Sequence, residues 1–327
     1  MTATLRKAQI GKETTHGDSV AATTRLLGKF THKEVPEFDE VEEHTGMLSK
    51  HIRAATKTGT IAEIGREGTF TFEQAPYFLG MCIKGGVVGE QVDASAAYRW
   101  AYERNLSGVN DPDSYTWEIG NAVQAFKTKF GLGKSLEVGG VSNKLLTLKC
   151  DMFGQDFSKC NFTPALSLPV VEDAVTRKTG LYLDDTAAAL GTTQVSSTLL
   201  DFNWKLDTGM IPDDCCDGEL WFTDFTEVST MITLEMTFKF NNGANLEYEK
   251  YYDKQPRFMR LITQGSEIEP GYAKSIKLDA CFDYRDWGAL EEDNGRDTVK
   301  IKMESLYDPT WGKEWLIEVV NALSTLP

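Results

Sequence analysis

Two segments of the chain share one order of polar and apolar positions. Ala75-Pro76-Tyr77-Phe78-Leu79-Gly80-Met81-Cys82-Ile83-Lys84-Gly85 opens with Pro, carries an apolar stripe and closes on Gly. Gln255-Pro256-Arg257-Phe258-Met259-Arg260-Leu261-Ile262-Thr263-Gln264-Gly265 repeats that order. Pro76 and Pro256, Phe78 and Phe258, and Gly85 and Gly265 are each 180 positions apart. Pro is tolerated in the first turn of a helix and Gly just past the last. The pattern therefore predicts two short helices, over 73–83 and 246–263, with Pro256 breaking or restarting the second. Pro76, Phe78, Met81, Pro256, Phe258 and Leu261 are the candidate helix core residues. Three matches at one offset point to an internal duplication; the alternative is two unrelated helices.

Around these segments the period is two, which reads as strand. Strands are predicted at 26–35, 47–58, 60–64, 97–102, 114–119, 134–138 and 144–152. A short strand at 180–183 is followed by 199–206, 219–225, 229–240, 275–284, 298–306 and 315–320. Phe202 and Lys205 match the spacing of Phe30 and Lys33. Each half thus reads strand, acidic loop, strands, one helix, then three or four strands. One helix cannot cover two sheet faces, so the economical architecture is a small sandwich or barrel with the helix on one side. The predicted fold is mainly β: two tandem β-sandwich or barrel domains, each flanked by one α-helix. Residues 1–25 read as a polar arm, 26–160 as the first domain, 161–196 as a linker and 197–327 as the second domain.

Composition fits that picture. The 327 residues are enough for two ordinary domains, and 41% of them are apolar, enough for real cores. No apolar stretch follows Met1 and no run approaches the roughly 18–20 residues of a membrane helix, so a soluble protein without a secretory leader is expected. The cysteines fit no zinc spacing; Cys82 and Cys281 sit in apolar patterns, Cys215 and Cys216 are adjacent, and reduced thiols are expected throughout.

Net charge is −15 and is unevenly placed. Residues 1–163 carry 19 Lys and Arg against 20 Asp and Glu, and residues 164–327 carry 15 against 29. Such a surface repels a phosphate backbone and disfavours ordinary nucleic-acid binding.

Catalytic signatures are missing from the sequence. His16, His32, His44 and His51 all lie near the N-terminus without partners at metal-ligand spacing. There is no Gly-x-Ser-x-Gly elbow and no phosphate-binding Gly-rich loop. Carboxylates are too many to single out a glycosidase pair. No enzyme activity and no cofactor are expected.

Several soft patterns together resemble a known family. They are Ala8-Gln9-Ile10-Gly11-Lys12-Glu13-Thr14-Thr15-His16-Gly17, the 72–86 helix followed by Tyr98–Tyr102, Tyr115-Thr116-Trp117-Glu118, and the terminal Trp315-Leu316-Ile317-Glu318-Val319-Val320-Asn321-Ala322-Leu323. Over nearly its full length the chain resembles a long-tailed (siphovirus-like) bacteriophage tail tube protein, the major tail protein. The resemblance implies a structural virion protein, made in the bacterial host cytoplasm, that polymerises as stacked rings into the tube through which DNA is ejected. Its implied partners are further copies of itself, a tape measure protein in the lumen, and the tail terminator and baseplate or tip proteins. Phage DNA would pass without specific binding.

Most such tubes are hexameric; two tube-like domains per chain instead predict a trimeric, pseudo-sixfold ring. Acidic side chains of the second half are expected to line the bore. The acidic loops supply the ring-stacking candidates: Glu37, Phe38, Asp39, Glu40, Glu42, Glu43, Asp207, Asp213, Asp214 and Asp217. The competing readings are a β-sandwich binding module and, less favoured, an all-β polysaccharide hydrolase.

Overall fold

The computed structural model describes residues 5–44, 46–48 and 53–326. The fold is mainly β. In chain order the elements are β1 (Lys7–Lys12), β2 (Thr24–Leu26), β3 (Lys29–Asp39), β4 (Thr56–Thr69), α1 (Ala75–Cys82), β5 (Glu90–Gln91), β6 (Tyr98–Tyr102), β7 (Tyr115–Gly120), β8 (Ala125–Val141) and β9 (Thr147–Cys160). There follow β10 (Thr179–Asp184), β11 (Leu199–Asp207), β12 (Met210–Asp213), β13 (Asp224–Glu227), β14 (Met231–Lys239), α2 (Asn242–Tyr252), β15 (Arg257–Glu269), β16 (Tyr272–Trp287), β17 (Glu291–Asp293), β18 (Arg296–Ser305) and β19 (Trp315–Asn321). All strands but β12 and β13 belong to one 17-stranded sheet, which turns back on itself to enclose the core.

The strand-pairing scheme of the first half recurs in the second. β3–β4, β4–β9, β8–β9, β7–β8 and β1–β7 are antiparallel pairs. β11–β14, β14–β18, β16–β18, β15–β16 and β10–β15 repeat them in the same roles. A helix follows the second strand of each hairpin, α1 after β4 and α2 after β14. The core is nonetheless continuous: a single cluster runs from Ala8 and Phe78 through Trp204 to Val319. Fully burying a side chain such as Phe78 contributes about 1.5–3 kcal/mol.

The duplicated segment behind the helix expectation folds two ways. Ala75–Cys82 is a helix buried at all eight residues, with Pro76 in its first turn. Arg257–Glu269 is a strand, so Phe258 and Leu261 are buried strand residues and Pro256 precedes a strand. The reason is lateral pairing: Phe258–Thr263 bonds to β10 on one edge and to β16 on the other. That ladder satisfies the backbone in place of helical bonds. The second helix is Asn242–Tyr252: it shares 246–252 with the expected span, starts four residues earlier, where Asn241 caps it by accepting from the Ala244 amide at 3.1 Å, and ends before Pro256.

The ends of the halves also differ from expectation. Lys7–Lys12 is a core strand paired with both β2 and β7, and Ala8, Gln9 and Ile10 are buried. The short strand expected at 180–183 is present as β10, but it makes 161–196 more than a linker: β10 occupies in the second half the place β1 holds in the first. Strand boundaries predicted at 47–58 fall partly on residues outside those described; among the rest, β4 starts at Thr56.

Candidate assembly interface

Two strand pairings join the halves. In one, β6 meets the terminal β19, from Tyr98–Asn321 to Tyr102–Ile317. It is locked by Trp100, whose indole N–H donates to Asn321 Oδ1 at 3.0 Å, and by Asn321 Nδ2, which donates to the Phe72 carbonyl at 2.9 Å. In the other, the second part of β8 (Ser135–Val141) runs antiparallel to β11 (Asp201–Asp207). β8 can serve both halves because it is long and bulged, at Lys127–Lys129, Lys129–Leu132 and Gly133–Ser135. Bulges bend a strand and let it pass from one pairing environment to another.

The β8–β11 joint creates an unbroken antiparallel succession: β3–β4–β9–β8, then β11–β14–β18–β16. Its inward face is apolar, carried by Ile64, Cys150, Val138, Trp204, Leu234 and Ile301. Its outward face is polar. Lys33 meets Glu63 at 2.6 Å, Lys149 meets Glu137 at 3.5 Å, and Arg285 meets Asp283 at 3.0 Å and Glu304 at 2.7 Å. Burial pushes the Asp201 carboxyl up, opposed by a hydrogen bond from Thr237 and by Lys300.

Both signs are thus interleaved on this face in both halves, with carboxylates in modest excess. The strong acidity of the second half does not concentrate there. It lies on the β12–β13 arm, at Asp213, Asp214, Asp217, Glu219 and Asp224, and around α2 and the end of β16.

The outer strands of the succession each keep one free edge. Among the described residues, β3 bonds only to β4. Among the described residues, the last part of β16, Asp283–Trp287, bonds only to β18. Unpaired strand edges are templates for pairing with another chain. The two free edges occupy, in their halves, the positions that β11 and β8 use to join each other. Phe202 on β11 illustrates the fit: it is buried, and the backbone of Gly140 on β8 lies against its ring. Phe30 on β3, with the same Phe-x-x-Lys spacing, is half-buried and lines an open groove.

The stacking candidates fall on two arms, which the structure brings side by side. Glu37, Phe38 and Asp39 end β3, and Glu40, Glu42 and Glu43 follow in an exposed loop where Arg53 pairs with Glu43. Phe38 is 58% exposed. Asp207 ends β11, Asp213 ends β12, and Asp214 and Asp217 occupy the loop before β13. The arms touch where the Thr60 amide donates to the Leu220 carbonyl at 2.8 Å and Lys57 lies over the Trp221 ring. A satellite core of Phe130, Leu132, Phe153, Met210 and Phe222 anchors the second arm. The strand expected at 219–225 is realised only from Asp224, so Phe222 enters this core from the loop before β13, and Met210 opens the four-residue β12, too short to show a period.

The histidines are scattered. His16 stacks on Phe130 and bonds Asp111, and His32 lies at 2.7 Å from the Thr128 hydroxyl. His44 is exposed, and His51 lies outside the described residues. Among the described residues no three His, Cys, Asp or Glu side chains cluster as metal ligands, and no helix is long and apolar enough to cross a membrane. The cysteines are free: Cys82 and Cys150 are buried with their sulfurs 3.7 Å apart, and Cys215 and Cys216 are exposed. No protein family matches the chain, and no curated protein is significantly similar to it.

Proposed function

We propose that this chain is a structural protein of the bacteriophage tail-tube type, with two tube-like repeats per chain, which assembles head to tail into closed rings and stacks those rings into a hollow tube. The observation that carries the reading is the β8–β11 joint. It fuses two copies of one strand-pairing scheme into a single sheet and leaves matching edges open at β3 and β16. Pairing β16 of one chain with β3 of the next repeats that joint between molecules. Such a contact is heterologous, and a heterologous contact yields a ring when its rotation closes. Three chains then supply six repeats.

The polar face would line the bore. Its interleaved charges give a passing phosphate backbone no continuous basic track, so few counterions are released and DNA is not trapped. The two arms, adjacent and exposed, are placed to reach a neighbouring ring. Tape measure, terminator and tip proteins would be the further partners of such a tube.

Negative-stain electron microscopy of the purified chain tests the reading. Hollow rings or tubes are the expected result. Monodisperse single chains at all concentrations would overturn it.

A further inference from the structure

α1 is buried along its whole length, whereas its counterpart α2 is not. Leu246 is 60% exposed, Tyr248 43% and Tyr252 76%. Tyr248 and Tyr251 pack on Trp287, at 5.5 and 5.8 Å between ring centroids, and Trp287 ends the free edge of β16. The result is an aromatic knob at that edge. Glu249, Asp253, Asp286 and Glu292 are exposed on or next to it, and none of them forms an ion pair among the described residues. Cations also lie nearby: Lys250, engaged with Asp185; Lys254, which sits over the Tyr251 ring; Arg285, paired with Asp283 and Glu304; and Lys302, the cross-strand neighbour of Asp286.

The other end of the strand succession carries the converse. A groove runs beside the start of β3 and is floored by Leu26, Leu27, Phe30 and Ile119. Arg6, Arg25, Lys29 and Lys205 line it, and none of these has an ion-pair partner among the described residues. The groove also holds three acids, Glu67, Glu137 and Asp151; Glu137 pairs with Lys149 and Asp151 accepts from the Ser135 hydroxyl, so the cations stay in excess. Aromatic anchors are preferred at interface centres, and complementary charge fixes partner and register.

We infer that the aromatic knob of α2 and Trp287, with its unpaired carboxylates, docks into the basic, apolar-floored groove beside β3 of a second copy of this chain. This rests on the head-to-tail reading above and deepens it: edge pairing alone is indifferent to sequence, and the knob and groove specify which edges meet. A β3 edge cannot dock on another β3 edge without bringing groove cations together. A β16 edge on another β16 edge brings the knob carboxylates together.

A charge-swap experiment by sedimentation velocity tests this. One variant carries Arg6→Glu and Lys29→Glu; the other carries Glu249→Lys and Asp253→Lys. All four side chains are exposed, and unchanged circular dichroism and melting verify that both variants fold. Each variant alone is expected to self-associate at least tenfold more weakly than the native chain at low salt. A third variant carrying all four substitutions, checked for folding in the same way, is expected to restore association to within about threefold of native, because every reversed groove then meets a reversed knob.

If both two-site variants assemble as the native chain does, or if the four-site variant stays unassociated, the docking is overturned while ring formation stands. If native chains associate with this charge dependence but form open filaments, the docking stands and the closed ring falls. A native chain that never associates overturns both.

Discussion

Arg257 holds Glu247 through two parallel hydrogen bonds, Nε to Oε2 and Nη2 to Oε1, each 2.9 Å. The pair is buried, with 6% and 8% of the side chains exposed. The Tyr284 hydroxyl donates to Glu247 Oε2 at 2.6 Å, and Asp185 takes a remaining guanidinium N–H. This network ties α2 to β15 and β16, so it carries the knob. A buried pair is worth little against an apolar replacement, but removing one partner strands the other charge. Glu247→Ala should cost about 3–5 kcal/mol in urea unfolding. The double variant Glu247→Leu with Arg257→Met should recover most of that loss, and a double variant no better than the single one would refute the assignment.

Phe78 is fully buried in α1 beneath the Arg66 guanidinium, 5.1 Å from the ring centroid. Phe78→Ala should destabilise by about 3–5 kcal/mol. Phe258, on β15 against Trp311, should show a smaller loss because the site is closer to the surface. Denaturant midpoints of the two variants check the ranking.

Burial lowers the His32 imidazole to about 4. The folded state thus keeps it neutral while the unfolded chain protonates near 6.5. The stability it contributes is full above pH 6.5 and is lost as pH falls from there toward 4, with a slope no steeper than about 1.4 kcal/mol per pH unit. His32 sits on β3 between Thr128 and the Phe157 ring. The variant His32→Gln should lose less stability than the native chain between pH 7 and 5; parallel curves would contradict this.

Phe38 protrudes from the tip of β3 between Glu37 and Asp39. Phe38→Ser should leave melting unchanged and rings intact, while shortening or abolishing tubes in micrographs. Full-length tubes would remove this arm from the stacking contact.

The extent to which the sequence announces this structure depends on how each element meets its neighbours. Leu199–Asp207 and Met231–Lys239 have one apolar and one polar face, and their period of two is plain. Arg257–Thr263 is covered more evenly, and its apolar run mimics a helix; periodicity cannot separate the two. α2 hides in the opposite way: Asn241-Asn242-Gly243 looks like a turn, yet Asn241 is a helix cap. The assembly edges leave no local pattern at all. β3 and β16 are recognisable as open only once the β8–β11 joint shows what such edges do when paired. The acidic loops were legible as charge runs, but their adjacency depends on Thr60 meeting Leu220 across 160 positions.

The number of chains in one ring tests the central claim most directly. Native mass spectrometry of assembled rings is predicted to give three chains, each closing onto the next through β16 and β3. Six chains per ring, or no closed species, would contradict it.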